Sequence, residues 1–189
     1  MKKTVFRVLA IILTLPLIAD YIYFTINMFK DKPAYFNVPM QAFYILDILA
    51  LIAVIVGVII NKYVISLIGI MSYSVIYLIS IYSQVGTGMT INAMMLAQSV
   101  PPLVIFTMML LLITKTLKPL PVAIVVIAIT FVDLALDFFV RIVGNHMNFF
   151  AWGNIRLIVT NICYCAAIVL ITFLTGMKEN KKVVNNENE

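Results

Sequence analysis

Long apolar stretches alternate with short polar connectors along the whole chain. Apolar stretches of about 20 residues have the length that spans the hydrocarbon core of a bilayer as a helix. Six such stretches cover residues 5–28, 42–60, 63–82, 91–114, 122–144 and 155–176. The pattern predicts an all-α polytopic membrane protein, with six transmembrane helices in a single bundle over residues 1–176.

Two segments between or beyond these stretches can be interpreted separately. The second and third stretches are separated by little more than Asn61 and Lys62. A tight antiparallel hairpin fits this spacing best, and one long bent helix, which would leave five spans, is the alternative. Residues 177–189 are polar, and we expect them to form a disordered cytoplasmic tail.

The composition agrees with an integral membrane protein. The chain of 189 residues is 63% hydrophobic and 11% charged, whereas a soluble domain carries about 25% charged residues. The net charge of +5 does not indicate nucleic acid as a partner, because Lys and Arg cluster at segment ends, where they set topology and meet lipid headgroups. The lipid bilayer is therefore the partner that the composition predicts.

The basic residues are distributed unevenly between the two sides of a six-helix plan. One side has nine, namely Lys2, Lys3, Arg7, Lys62, Lys115, Lys118, Lys178, Lys181 and Lys182. The other has four, namely Lys30, Lys32, Arg141 and Arg156. Because cytoplasmic loops carry the excess of Lys and Arg, this distribution predicts that both termini are cytoplasmic. The Met-Lys-Lys start and the frequent Ile, Lys and Asn are typical of a bacterial protein of the plasma membrane.

Three charged residues lie within one apolar stretch. Asp133, Asp137 and Arg141 follow one another at intervals of four residues, so on a helix they share one face. A charge at the bilayer centre costs about 2.5–3.5 kcal/mol even on the mild insertion scale. This face must therefore look into protein, into water or toward other charges.

Polar residues on other stretches fall into the same outer half of the predicted bundle. They are Asp20, Asp47, Arg156 and Asn161. In the functional interpretation they join Asp133 and Asp137 around an outward-facing polar pocket, with Asp20 and Asp47 on the opposite wall. In the structural interpretation the acids pair with Arg141 and Arg156, and the network only fixes helix packing. The four acids outnumber the two arginines, which favours the pocket.

The fourth stretch contains a proline pair near its middle. Pro101 and Pro102 remove two backbone donors, so we expect the helix to kink or break there. Gln98 lies at this position, where freed carbonyl groups can coordinate a solute; a simple packing kink is the alternative. On the third stretch, Tyr73 and Tyr77 share a helix face, which is typical of packing and also allows stacking on a ligand.

Catalytic and metal-binding signatures are absent from the sequence. There is no G-x-S-x-G and no H-E-x-x-H. His146 is the only histidine, and Cys163 and Cys165 point in different directions on a helix. We therefore expect no catalytic residues, no metal centre and no cofactor, and the sequence favours a protein that is not an enzyme.

The sequence leaves more than one function open. The first hypothesis is an integral membrane protein that binds or transports a small polar or cationic solute, and the second is a non-catalytic subunit or regulator with a membrane protein partner. The six-span plan with an outward pocket also resembles the substrate-binding S components of energy-coupling-factor vitamin transporters. That resemblance implies a coupling partner that docks on an Ala-x-x-x-Ala surface of the first helix, whereas this first helix has Ala10 and Ala19.

Overall fold

The structure is a bundle of antiparallel helices. The computed structural model describes residues 2–31, 38–83, 93–139 and 152–186. The helices are α1 (Lys2–Asp31), α2 (Val38–Ile59), α3 (Tyr63–Ser83), α4 (Ala93–Ile113), α5 (Pro119–Phe138) and α6 (Trp152–Asn186). All six contain a segment long and apolar enough to cross a membrane. The predicted all-α, six-helix fold is confirmed, and the chain is a multi-pass membrane protein.

The helices form a closed ring. Each helix packs on its neighbours in sequence, α1 also packs on α6, and α3 makes a smaller contact with α6 across the bundle. At one end of the ring, Arg7 donates hydrogen bonds to the carbonyl oxygens of Val58 (3.1 Å) and Ile59 (2.6 Å). This end therefore holds the beginnings of α1, α3 and α5 and the ends of α2 and α4.

A tight hairpin joins α2 to α3, as the sequence predicts, and the five-span alternative is excluded. Asn61 adopts the left-handed conformation (φ 57°), which Asn tolerates better than most residues. Its backbone nitrogen donates to Val58 (3.3 Å), and that of Lys62 donates to Gly57 (2.9 Å). This pair of bonds is a Schellman motif, which satisfies the last carbonyl groups of α2.

Close backbone approach between α2 and α3 depends on two glycines. A Cβ atom on Gly69 would lie 2.8 Å from the carbonyl oxygen of Ala50. One on Gly57 would lie 2.5 Å from the backbone nitrogen of Ser66. Ser66 also donates a hydrogen bond of 2.8 Å from Oγ to the Val54 carbonyl oxygen. Small residues allow this contact, as is usual between helices in membranes.

The two halves of the bundle differ in character. In the half that holds the α2–α3 hairpin, apolar side chains such as Leu67, Met109, Val126 and Ile171 are buried in one cluster. The outer surface is apolar as well, and Phe131 on α5 is 65% exposed. Such a surface is suited to lipid rather than water.

Two helices differ from the sequence-based expectation. First, α6 continues to Asn186, whereas we expected disorder from Met177 onward; Met, Lys and Glu are good helix formers and can extend a preformed helix. Second, α4 is a single helix with Pro101 and Pro102 inside it. Of the predicted kink or break at the proline pair, the break does not occur, because neighbouring helices and local adjustments allow proline within a membrane helix. The kink stays a prediction.

Candidate solute-binding cavity

A cavity of about 170 Å³ lies inside the ring, in the half where α1, α3 and α5 end. Five helices contribute to it, and α2 does not. Its polar lining consists of Asp20, Tyr21, Tyr73, Ser74, Tyr77, Thr130, Asp133, Asp137, Thr160, Asn161 and Tyr164. Its apolar lining consists of Leu17, Pro101, Pro102, Ile105 and Leu157. The lining contains no Lys, Arg or His among the residues that the structure describes.

Two of the three lining carboxylates come from α5. Asp133 and Asp137 are one helical turn apart and both face the cavity, so their negative charges repel each other. Asp133 is also within electrostatic range of Tyr164 on α6. An apolar helix places these acids inside the bundle because its other faces contact lipid.

The third carboxylate is held by an arginine. Arg156 Nε lies 3.0 Å from Asp20 Oδ1, and both side chains are half-buried. The guanidinium also lies over the ring of Phe24, 4.2 Å from its centroid, and 5.8 Å from that of Tyr23. This cation–π contact adds to the ion pair, and together they join α1 to α6. Arg156 is not itself among the cavity-lining residues.

Tyrosine rings form one wall of the cavity. The hydroxyls of Tyr21 and Tyr73 are hydrogen-bonded at 2.7 Å. The Tyr21 and Tyr73 rings meet edge to face (77°), and the Tyr73 and Tyr164 rings are tilted by 53° with centroids 5.0 Å apart. Aromatic pairs prefer inclined arrangements of this kind to face-to-face stacking.

The smaller hydroxyl groups of the lining already use their hydrogens. Ser74, Thr130 and Thr160 each donate to the carbonyl oxygen four residues earlier, at 3.1, 2.8 and 3.0 Å. Their oxygens can then only accept further hydrogen bonds. Asn161 Nδ2 likewise donates to the Leu157 carbonyl oxygen at 3.1 Å. The hydroxyls and carboxylates together make the cavity rich in acceptors.

The structure brings together half of the residues that the sequence singled out. Asp20, Asp133, Asp137 and Asn161 line the cavity. Arg156 lies beside it through Asp20. Gln98 is half-buried on α4 but does not line the cavity, and Arg141 lies outside the described residues.

Asp47 is placed differently from the prediction. It does not line the cavity with Asp20. It is 4% exposed, and its Oδ1 has no hydrogen-bond partner within the described part of the chain. Asp47 lies in electrostatic range of Tyr21, Tyr73 and Tyr164. None of the described residues of α2 lines the cavity, so this carboxyl group lies outside it.

The tyrosine wall, formed by Tyr21, Tyr73 and Tyr164, is the part of the cavity that the sequence did not predict. The spacing of Tyr73 and Tyr77 predicts mainly packing, and Tyr164 is not among the candidate residues of the sequence. A signal was present on α6: Leu157, Asn161 and Tyr164 are spaced by four and three residues and so share a face. The Tyr164 hydroxyl lies near Ser74 but makes no hydrogen bond of ordinary geometry within the described residues.

The described residues contain no group of three or more His, Cys, Asp and Glu side chains arranged to hold a metal ion. Cys163 and Cys165 are free thiols.

Fold and site together define a polytopic helical membrane protein with an acidic, tyrosine-walled cavity inside the bundle. The chain matches no protein-family model, no curated protein and no solved structure.

Proposed function

We propose that this protein binds or transports a small cationic solute in the cavity between α1, α3, α4, α5 and α6. The observation behind this proposal is the charge of the lining: Asp20, Asp133 and Asp137 contribute carboxylates, and the described lining residues contribute no basic group. Arg156 offsets Asp20. Ionisable groups kept inside a membrane are costly, which makes a functional role the default interpretation.

The size of the cavity limits the class of solute. Its volume of about 170 Å³ is below the range of roughly 300–1,000 Å³ that is typical of pockets for drug-sized ligands. A vitamin-sized ligand, as the resemblance to S components implies, would need a wider opening between the helices. A solute of a few non-hydrogen atoms fits the volume as it stands.

Native mass spectrometry of the protein in mild detergent tests the proposal. We expect a reproducible low-mass adduct on the wild-type protein that Asp137→Asn removes. Asp47→Asn is the matched control, because it neutralises a buried carboxyl group that does not line the cavity, and this variant should keep the adduct. A bare wild-type chain, or an adduct that Asp137→Asn retains in a folded protein, would contradict the proposal.

One observation favours the second function, a non-catalytic subunit or regulator. The Asp20–Arg156 pair joins α1 to α6, as a purely structural network would. In that case a stable protein partner should copurify with the chain, and Asp137→Asn should alter assembly and leave small-molecule binding unaffected.

We also propose that the protein lies in the bacterial plasma membrane with both termini in the cytoplasm, and that the cavity faces outward. The positive-inside rule supports this orientation. Lys3 lies over the Tyr63 ring at 5.6 Å, which places it at the same end as Arg7 and the α2–α3 turn, away from the cavity. Thiol labelling of intact cells tests it in a background that lacks the two native cysteines: Lys62→Cys should be protected from a membrane-impermeant reagent.

A further inference from the structure

We infer that the solute is a small protonated amine, held by its ammonium group at Asp133 and Asp137 and by the surrounding tyrosine wall. This inference rests on the proposed function and specifies the ligand class of the same site. Three features of the cavity lead to it: the spacing of its acids, the hydrogen-bonding state of its hydroxyls, and its mixed aromatic and apolar walls.

The acids are arranged unlike a metal site. The described residues contain no group of three or more His, Cys, Asp and Glu side chains that could hold a metal ion, whereas Ca²⁺ and Mg²⁺ need six or more oxygen ligands at about 2.0–2.6 Å. The cavity volume of about 170 Å³ also exceeds that of a bare ion. A bulkier cation that spreads its contacts over several walls fits this arrangement better.

The serine, threonine and carboxylate oxygens of the lining are acceptors, which favours a ligand that donates hydrogen bonds. Ser74, Thr130 and Thr160 already donate their hydrogens within their own helices. The carboxylates of Asp133 and Asp137 accept hydrogen bonds when ionised. An ammonium group supplies N–H donors together with the positive charge, whereas a quaternary ammonium supplies the charge alone.

The remaining walls suit the organic part of such a ligand. Tyr73 lies at the centre of the aromatic wall, with Tyr21 edge-on to it and Tyr164 tilted against it, and tyrosine faces attract cations. Ile105 and the two prolines of α4 supply apolar surface for an alkyl chain. An apolar cavity of about 150 Å³ holds benzene, so the space fits a ligand of about six non-hydrogen atoms.

Isothermal titration of the full chain in detergent, with five probes at constant ionic strength, tests the inference. The probes are n-butylammonium, octylammonium, tetramethylammonium, 1-butanol and sodium ion. We expect saturable binding of n-butylammonium, weaker binding of tetramethylammonium, which lacks N–H groups, and no binding of butanol, which lacks the charge. Octylammonium should bind no better than butylammonium, because the cavity cannot accept the longer chain.

Variants locate the binding. Asp133→Asn should weaken butylammonium affinity about tenfold or more, since it removes a charged acceptor. Tyr73→Leu should weaken it about two- to thirtyfold through the lost cation–π contact, whereas Tyr73→Phe keeps the ring and should retain most of the affinity. Asp47→Asn, outside the cavity, should leave the affinity unchanged. A thermal unfolding curve for each variant confirms that it is folded.

The outcomes separate the inference from the proposed function. If sodium ion binds in an Asp133-dependent manner and butylammonium does not, the protonated-amine inference is overturned and the cation site stands. If no probe binds, both are overturned. Butylammonium binding that survives Asp133→Asn, or that rises steadily with chain length, would be partition into detergent and would also overturn the inference.

Discussion

Replacing Gly69, in the contact between α2 and α3, should have two opposing effects on the free energy of unfolding: a gain in helix propensity and a loss through overpacking. Replacing Gly69 by Ala in an open helix position would stabilise it by about 1 kcal/mol. In this structure the added Cβ would lie 2.8 Å from the Ala50 carbonyl oxygen and 3.0 Å from the Val54 backbone nitrogen. Atoms in favourable contact lie about 3.5 Å apart, so the helices must separate by about 0.7 Å at this point.

Overpacking of this kind costs about 1–3 kcal/mol, and the contact is with backbone atoms, which cannot rotate away. The loss outweighs the gain in helix propensity, so Gly69→Ala should lower the free energy of unfolding by about 1–2 kcal/mol. Gly57→Ala should lower it further, because its Cβ would lie only 2.5 Å from the Ser66 backbone nitrogen.

The measurement is reversible unfolding in mixed micelles, by titration with a denaturing detergent. Gly153→Ala is the matched control: nothing lies within 4 Å of its added Cβ, so its stability should stay equal or rise. If Gly69→Ala is as stable as the wild-type protein or more so, the close approach of α2 and α3 is refuted.

Three further predictions concern Asp47, the Asp20–Arg156 pair and Lys115. Asp47→Leu should raise the free energy of unfolding by about 1–3 kcal/mol, because it replaces a buried carboxyl group whose Oδ1 has no partner within the described residues by an apolar side chain of similar size; a lower melting temperature in detergent would contradict this. A double-mutant cycle of Asp20→Asn and Arg156→Gln should give a coupling energy above about 1 kcal/mol, the upper end for exposed pairs, and a value near zero would remove the pair as a link between α1 and α6. Lys115→Gly should stabilise the turn after α4 by about 1 kcal/mol, since Lys115 adopts φ 60° and a left-handed residue with a Cβ is strained; unfolding in the same micelles measures it.

Much of the fold could be predicted because the bilayer imposes strong rules. Apolar length identified all six helices, and the two-residue spacing at Asn61 identified the hairpin. The ends of the helices were harder to predict. Hydropathy indicates only the part of a helix that lies in lipid, whereas α6 continues beyond its apolar part. The prolines of α4 show a second limit of local sequence rules. Proline usually breaks a helix in water, but here the surrounding helices keep α4 continuous.

The candidate site could be predicted only in part. The cost of charge in lipid identified Asp20, Asp133 and Asp137 as residues that face inward, and all three line the cavity. That argument predicts the depth of a residue in the membrane, but not the side of the helix bundle on which it lies. The sequence therefore predicts Asp47 in the cavity, although none of the described residues of α2 lines it. Placing a tyrosine in a membrane helix costs little free energy, so its position gives no comparable indication. The tyrosine wall is therefore evident only from the three-dimensional structure.

The apolar packing of the half opposite the cavity has a consequence for passage through the bundle. Met109 and Ile171 are fully buried there, in a cluster to which all six helices contribute. In this conformation the buried apolar cluster closes the bundle on one side of the cavity. If the protein transports a solute, as proposed above, the solute can cross this cluster only when the helices rearrange.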